Sequence, residues 1–233
     1  MSSLRILSGG AAQGLVGALA VKFKTQTGLD IAGEFGAVGA MADQLRDGMP
    51  ADILILTSAL IATLVGEDLA ARASVKDVGK VETALAVRES DPLVVAPDAE
   101  ALRAALLAAD AIFVPDIKAS TAGIHVAKVL QQLGIIDEVE SRLKIYPNGA
   151  TAMRHMADSD ARHPIGCTQA TEIIATGGIR LSGALPRGCD LATTYTAAVT
   201  TRATHPREAQ ILIELLTSKD NATLRERAGF LST

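Results

Sequence analysis

The chain has 233 residues, 48% of them hydrophobic and 21% charged, with a formal net charge of −4. This length admits one large domain or two small lobes, and the composition is that of an ordinary globular protein. The absence of Trp, the four Phe and the acidic balance exclude a base-stacking platform or a nucleic-acid surface. No stretch approaches the roughly 20 apolar residues of a bilayer span, so membrane insertion is excluded as well.

Strand and helix patterns alternate from the start, which predicts α/β architecture with a mostly parallel sheet. Residues 4–8 read as a strand and 12–26 as a helix with an apolar face at Leu15, Leu19, Ala20 and Phe23, stopped by Gly28. A second strand is expected at 29–35 and a second helix at 38–47, ended by Gly48. The wholly apolar run 52–56 reads as a third strand covered on both faces. Helices follow at 58–65 and near 67–71. Strands are predicted at 81–88 and 92–96, a helix at 98–109, a strand at 110–114 and a helix at 122–133. Residues 136–143 read as a short helix and 144–146 as a strand. A helix opens at Asn148, and 165–169 is a buried strand ending in a polar turn. A Thr-rich strand at 191–200 and helices at 206–217 and 219–228 close the chain.

Small, uncharged strand-to-helix turns recur along this pattern. In open α/β sheets, loops leaving the carboxyl ends of strands form the ligand crevice. The helix N-termini that follow offer unpaired N–H groups to anions. The first such turn is Ser8, Gly9, Gly10 and Ala11, and the second is Ala37, Val38 and Gly39. Thr57 and Ser58 end the third strand, as ligand donors or as a helix N-cap. Ser120 and Thr121 have the same two roles open, with Lys118 either adding positive charge or simply solvated. Asn148, Gly149, Ala150 and Thr151 begin a later helix. Thr168 and Gln169 end a buried strand and supply hydrogen-bonding groups. Arg154 is either a carboxylate clamp or a surface residue. His155, Cys167 and Tyr146 are the candidate proton carriers, each with a plain structural alternative.

Several chemistries find no signature. There is no complete G-x-G-x-x-G, no G-x-x-x-x-G-K-[ST] and no G-x-S-x-G. His125, His155, His163 and His205 are scattered, with no metal-ligand spacing, so neither a metal nor a cofactor is expected. Cys167 and Cys189 do not make a disulfide framework, and free, buried thiols are the expectation. After Met1-Ser2-Ser3 the chain enters a predicted strand at once, which favours a cytoplasmic location, or a periplasmic one had a leader been cleaved.

The opening turn, Phe35-Gly36-Ala37-Val38-Gly39, and Gly48-Met49-Pro50-Ala51-Asp52-Ile53-Leu54-Ile55 together resemble the molybdate-binding, type 2 periplasmic solute-binding proteins. The resemblance continues through Ala122-Gly123-Ile124 and Pro164-Ile165-Gly166 and covers nearly the whole chain. It implies a two-lobed clamshell of α/β lobes with two crossovers, closing on a small ligand. The expected division is 1–84 plus 195–233 for lobe I and 85–194 for lobe II. The strand-rich stretches near 81–96 and 191–200 are the expected crossovers.

That family grips its oxyanion with serine hydroxyls of the first two turns and a tyrosine of the second lobe. Those positions fall here at Ala11, Gly39 and near Thr168. Hydrogen bonds to charged groups are worth roughly 1.5–3 kcal/mol each, so losing three costs about 4–9 kcal/mol. Molybdate and tungstate are therefore not the expected ligands. The first expectation is a binding protein for a small anion, an organic di- or tricarboxylate, held in the interlobe cleft by N–H, Ser/Thr and Asn/Gln donors. The family implies delivery to the membrane subunit of an ABC transporter if the chain is exported. The alternative is an isomerase of an unsaturated carboxylic acid such as aconitate on the same fold. A cytoplasmic ligand sensor is the third reading.

Overall fold

The computed structural model describes residues 3–231. Its elements run in the order β1 (Ser3–Gly9), α1 (Gln13–Thr27), β2 (Asp30–Gly36), α2 (Val38–Arg46), β3 (Ile53–Thr57), α3 (Ser58–Gly66) and β4 (Lys76–Arg88). They continue with α4 (Ala99–Ala108), β5 (Ala111–Pro115), α5 (Thr121–Gln132), α6 (Ile136–Val139), β6 (Leu143–Tyr146), α7 (Gly149–Ala157) and β7 (Pro164–Gln169). The last are α8 (Ala170–Ile174), β8 (Ile179–Ala184), β9 (Ala192–Val199), α9 (Pro206–Thr217) and α10 (Ala222–Arg227). The chain divides into two compact units. Unit 1 comprises the chain up to Val81 together with the chain from Thr193 onward, and unit 2 is Glu82–Ala192.

In unit 1 the strand order is β2-β1-β3-β9. β1 pairs in parallel with both β2 and β3, and β9 is antiparallel to β3. Ile53, Leu54, Ile55 and Leu56 of β3 are all fully buried, as a doubly covered strand requires. α1 buries Leu15, Val16, Leu19 and Phe23 and ends before Gly28, whose left-handed backbone closes the helix.

Asp52 explains why an acid stands in the Pro-Ala-Asp run. It is buried, and its carboxylate accepts the Arg5 N–H at 2.8 Å, the Thr204 N–H at 2.6 Å and the His205 N–H at 3.0 Å. The Thr204 hydroxyl donates to it as well. Burial alone raises the pKa of this carboxyl, but the hydrogen bonds outweigh it and hold the group below the usual carboxylate range. Asp52 ties the start of β3 to β1 and to the segment before α9. It is an anchor, not a ligand donor.

In unit 2, β5 pairs in parallel with β6 and β7, and β4 runs antiparallel to β7 and β8. Leu85, Leu102, Leu106, Ile112, Val126, Leu130, Ile165 and Cys167 belong to one continuous apolar core. Two sequence expectations fail, one in each unit. Residues 92–96 form no strand: Pro92 and Pro97 bracket them, and Leu93 and Val95 are exposed rather than paired. The short helix expected near 67–71 is a turn, followed by a 3-10 turn at Arg72–Ser74. β8 was not anticipated, because its exposed, mixed residues give no clean alternation.

Candidate functional site

The turns of unit 1 leave the sheet side by side. The β1–β2 register places Gly9 opposite Gly36, so the turns that follow, 9–12 and 37–39, are neighbours. No side chain caps the helical turn at Gly10–Ala12, and none caps α2 at Ala37. Neither first turn contains an acidic residue. The N–H groups there, on Gly10, Ala11, Val38 and Gly39, have the positive end of a helix behind them, with no side-chain cap and no acid in their own first turns. Ser8 is fully buried and donates its hydroxyl to the Gly9 carbonyl at 2.9 Å. A Cβ on Gly9 would lie 2.8 Å from Val38 and 2.9 Å from the ring of Tyr195, so glycine alone fits. Tyr195 therefore packs against Gly9 in the first turn, a neighbour that its distance along the chain concealed.

Thr57 serves as the N-cap of α3, its hydroxyl accepting the Leu60 N–H at 3.4 Å, and Ser58 is exposed at the first helical position. The cap reading of this turn is the one its geometry supports.

In unit 2 the helices α5, α7 and α8 start at the carboxyl ends of the parallel strands β5, β6 and β7; α8 carries Glu172 in its own first turn, and the N-termini of α5 and α7 differ. At α7 the Asn148 side chain accepts the Thr151 N–H at 2.8 Å. The Glu172 carboxylate fills the remainder: it accepts from the N–H groups of Gly149, Ala150 and Gln169 and from the Thr168 hydroxyl at 2.6 Å. A Cβ on Gly149 would lie 2.0 Å from both Glu172 Oε2 and Thr168 Oγ1, so only glycine admits this carboxylate. Burial pushes the Glu172 pKa up, and the four hydrogen bonds oppose the shift without cancelling it. The anion seat at 148–151 is thus occupied by the chain's own acid. Glu172 escaped sequence reading because nothing in Ala170-Thr171-Glu172-Ile173 distinguishes it from a solvated helical glutamate.

At α5 the N-terminus is open. No side chain caps it at Ser120, and its first turn carries no acid. That first turn lies against the backbone of Pro115 and Asp116 at the end of β5. Asp116 shapes the approach by accepting the Lys118 and Ala119 N–H groups at 2.7 and 2.9 Å, and Lys118 itself is exposed.

The end of β7 faces this helix. Side chains alternate along a strand. Gly166 meets Met153 and Met156 of α7, while Cys167 shares the apolar core with Val126 and Val129 of α5. Thr168 therefore points to the α7 side, where it meets Glu172, and Gln169 to the α5 side. Gln169 is 3% exposed, yet neither its amide oxygen nor its amide nitrogen has a partner. Thr83, its direct partner across the antiparallel β4–β7 pair, is 1% exposed and its hydroxyl is also unpartnered. Buried polar groups are nearly always hydrogen-bonded, so such a cluster calls for an explanation. Thr171 adds a further buried hydroxyl without a partner.

The proposed proton carriers divide differently. Cys167 is buried and its thiol is pushed up to about 12 by desolvation, so it holds its proton through the physiological range. Cys189 is buried too, and both cysteines are free. Tyr146 lies between two rings: Phe113 at a centroid distance of 6.1 Å and His155 at 4.4 Å, stacked within 15°. His155 thus meets the face of a phenol ring, and no hydrogen bond to a carboxylate orients it among the described residues. Arg154 is exposed and donates to the Thr151 hydroxyl at 3.0 Å. A cavity of about 460 Å³ opens at the opposite, amino ends of β5 and β7, lined by Ala108, Ala109, Pro164 and Ile165, away from all these donors.

Solved structures share the fold. The structure of the periplasmic molybdate-binding protein of Azotobacter vinelandii matches 99% of this chain and 100% of its own length, with a TM-score of 0.81 at 17% identity. The sulfate-binding protein of Mycobacterium tuberculosis matches 99% of this chain and 86% of its own, with a TM-score of 0.75 at 18% identity. In sequence, an aconitate isomerase from a Pseudomonas species is 28% identical over 240 aligned positions, covering 98% of this chain and 87% of that protein. The profile of the family described as bacterial extracellular solute-binding protein matches residues 4–231. With that match across almost its whole length, and with the fold of the periplasmic molybdate-binding proteins, the chain belongs to the bacterial extracellular solute-binding protein family.

Proposed function

We propose that the chain binds a small organic anion of the di- or tricarboxylate class. Its charge rests on uncapped helix N-terminal N–H groups, those of Gly10, Ala11, Val38 and Gly39 in unit 1. Within unit 2, the uncapped N-terminus of α5 and the unpartnered polar atoms of Gln169 and Thr83 suit the same class of ligand. The observation that carries this reading is the contrast between helix N-termini. Those of α3 and α7 are capped or filled, whereas those following β1, β2 and β5 are left without a cap or an acid. N–H donors on a helix dipole suit a carboxylate. A tetrahedral metal oxyanion fits less well, because Ala11, Gly39 and Thr168 supply no hydroxyl to it: two have none, and the third is committed to Glu172.

A thermal-shift screen tests this directly, since a ligand that binds only the folded state raises stability by RT ln(1 + [L]/Kd). Di- and tricarboxylates are expected to raise Tm at millimolar concentration or below. Stabilisation by micromolar molybdate, with none by organic acids, overturns the reading. In an exported protein of this family, handing the ligand to the membrane subunit of an ABC transporter is the accompanying role.

A second reading is favoured by one finding, the likeness over 98% of the chain to an aconitate isomerase. Moving a double bond requires removing a proton beside a carboxylate and returning one to the allylic carbon. The same N–H donors would spread the enolate charge. Cys167 is too reluctant an acid to be the proton carrier, which leaves the stacked pair Tyr146 and His155. Proton NMR of cis- and trans-aconitate with the protein in heavy water separates the readings. Isomerisation or exchange supports the enzyme; an unchanged spectrum with a positive thermal shift supports the binder.

A further inference from the structure

The cavity at the amino ends of β5 and β7 lies wholly within unit 2. Its volume of about 460 Å³ falls in the small-molecule range of roughly 300–1,000 Å³. Buried Val87, Ala109, Pro164 and Ile165 line it. Ala105 and Ala108 of α4 line it too, and their single methyl groups leave room that longer side chains would fill. A further wall is the segment Asp91–Val94, part of the proline-bracketed stretch that forms no strand. Two side chains of β8 hold it in place of a ladder. The Ser182 hydroxyl accepts the Val94 N–H at 2.7 Å and donates to the Val94 carbonyl at 2.9 Å, and Arg180 donates to the Asp91 carbonyl at 2.7 Å. Leu93 and Val94 are thereby kept out of the sheet and left to line the cavity. Three ionisable side chains complete the lining: Asp91, Arg162 and His163. Asp91 is neutralised by Arg88, whose Nε and Nη2 lie 2.7 and 3.3 Å from its two oxygens. The Arg162 guanidinium has no carboxylate partner among the described residues. Asp110 instead accepts the Arg162 and His163 N–H groups at 2.8 and 2.9 Å, which fixes the backbone that carries both side chains.

We propose that this cavity is a second binding site, that it takes an apolar monocarboxylate, and that Arg162 holds the carboxylate while the apolar walls hold the tail. Charge complementarity carries the choice of ligand. A neutral apolar molecule fills the walls but leaves Arg162 without a counter-charge. A di- or tricarboxylate brings a second charge against apolar walls, where desolvation opposes it. A single carboxylate on an apolar tail meets both conditions, and its pair with a guanidinium is a charge-assisted hydrogen bond. The cavity and the anion-suited turns lie at opposite ends of β5 and β7, so this inference does not rest on the binding reading above.

Octanoate and 1-octanol test it, since they share a tail and differ in charge. Titration calorimetry of the full chain at pH 7.5 is expected to show octanoate binding about tenfold or more tighter than 1-octanol. Arg162→Gln alters an exposed side chain and is expected to remove that preference. Ala108→Leu fills the cavity from a helical position that tolerates leucine, and is expected to weaken both ligands about tenfold or more while the thermal transition is retained. Ala105→Leu fills it from the preceding turn and replaces Ala108→Leu if that variant fails to fold. Amide NMR shifts on adding octanoate are expected at residues 91–94, 105–109 and 162–165. No octanoate binding, or binding that neither leucine variant weakens, overturns the site. Equal affinity for the two ligands, or a preference that survives Arg162→Gln, overturns the assignment of the carboxylate to Arg162. A dimer in sedimentation velocity that Leu93→Asp dissociates gives this face to a second copy of the chain and overturns the proposal as well.

Discussion

Two buried carboxylates, Asp52 and Glu172, are solvated by the backbone rather than by water, and their pKa shifts have opposite signs. Asp52 sits where hydrogen bonds outweigh desolvation. Its lowered pKa contributes stability that is fully present above the unfolded value of about 3.9 and is lost as pH falls through the folded value. Asp52→Asn keeps the shape but turns an NH2 group toward one of the N–H donors. A loss of about 1–3 kcal/mol is expected in urea unfolding at pH 7, with the gap to the parent protein closing below about pH 4. Glu172 sits where desolvation wins. A raised folded pKa means the folded state holds the proton more tightly, so stability declines as pH rises from about 4.3 toward the folded value. Glu172→Gln removes that decline. Tm measured from pH 4 to 8 is expected to slope downward in the parent protein, relative to the variant. A variant that keeps the same slope refutes the assignment.

At the scale of elements, what matters is which helix N-terminus is filled. α7 needs glycine at its first position, because Glu172 and Thr168 occupy the space where a Cβ would stand. Gly149→Ala is expected to lose about 2–4 kcal/mol by expelling or distorting a buried hydrogen-bonded acid. α2 is the converse case. Gly39→Asp places a carboxylate in its uncapped first turn, which is expected to stabilise the free protein by about 0.3–1 kcal/mol through the helix dipole. The same change occupies the seat proposed for the ligand. The thermal shift given by a stabilising acid should therefore vanish in this variant even as its own Tm rises. Ligand-induced shifts equal to those of the parent protein exclude α2 from the site. The sequence made these turns visible as a class, since glycine and small residues between an apolar strand and a helix are a local signal. Whether a turn is open depends on a distant partner. Glu172 closes 148–151 from more than 20 residues away, and no local pattern announces it.

At the scale of the molecule, unit 2 is one continuous stretch, Glu82–Ala192, with its own apolar core from Leu85 to Cys189. Unit 1 is discontinuous and needs both ends of the chain. The fragment Glu82–Ala192 is accordingly expected to fold alone, with a cooperative thermal transition and dispersed amide resonances; a chain that stays unfolded contradicts the independence of that core. The alternation of strand and helix and the doubly covered β3 were legible in the sequence, because hydrophobic period and glycine stops are properties of neighbouring residues. The family resemblance was legible for the same reason, as an ordered set of local turns. Other features required the tertiary structure: the anchoring of Asp52 by residues 204–205, the packing of Tyr195 over Gly9, and the orphaned pair of Gln169 and Thr83. Each depends on which residues strand pairing and helix packing bring together across long sequence separations. Local chemistry alone determined that the chain forms α/β units with small, uncharged strand-to-helix turns; burial and long-range register decided which of those turns the chain's own side chains fill.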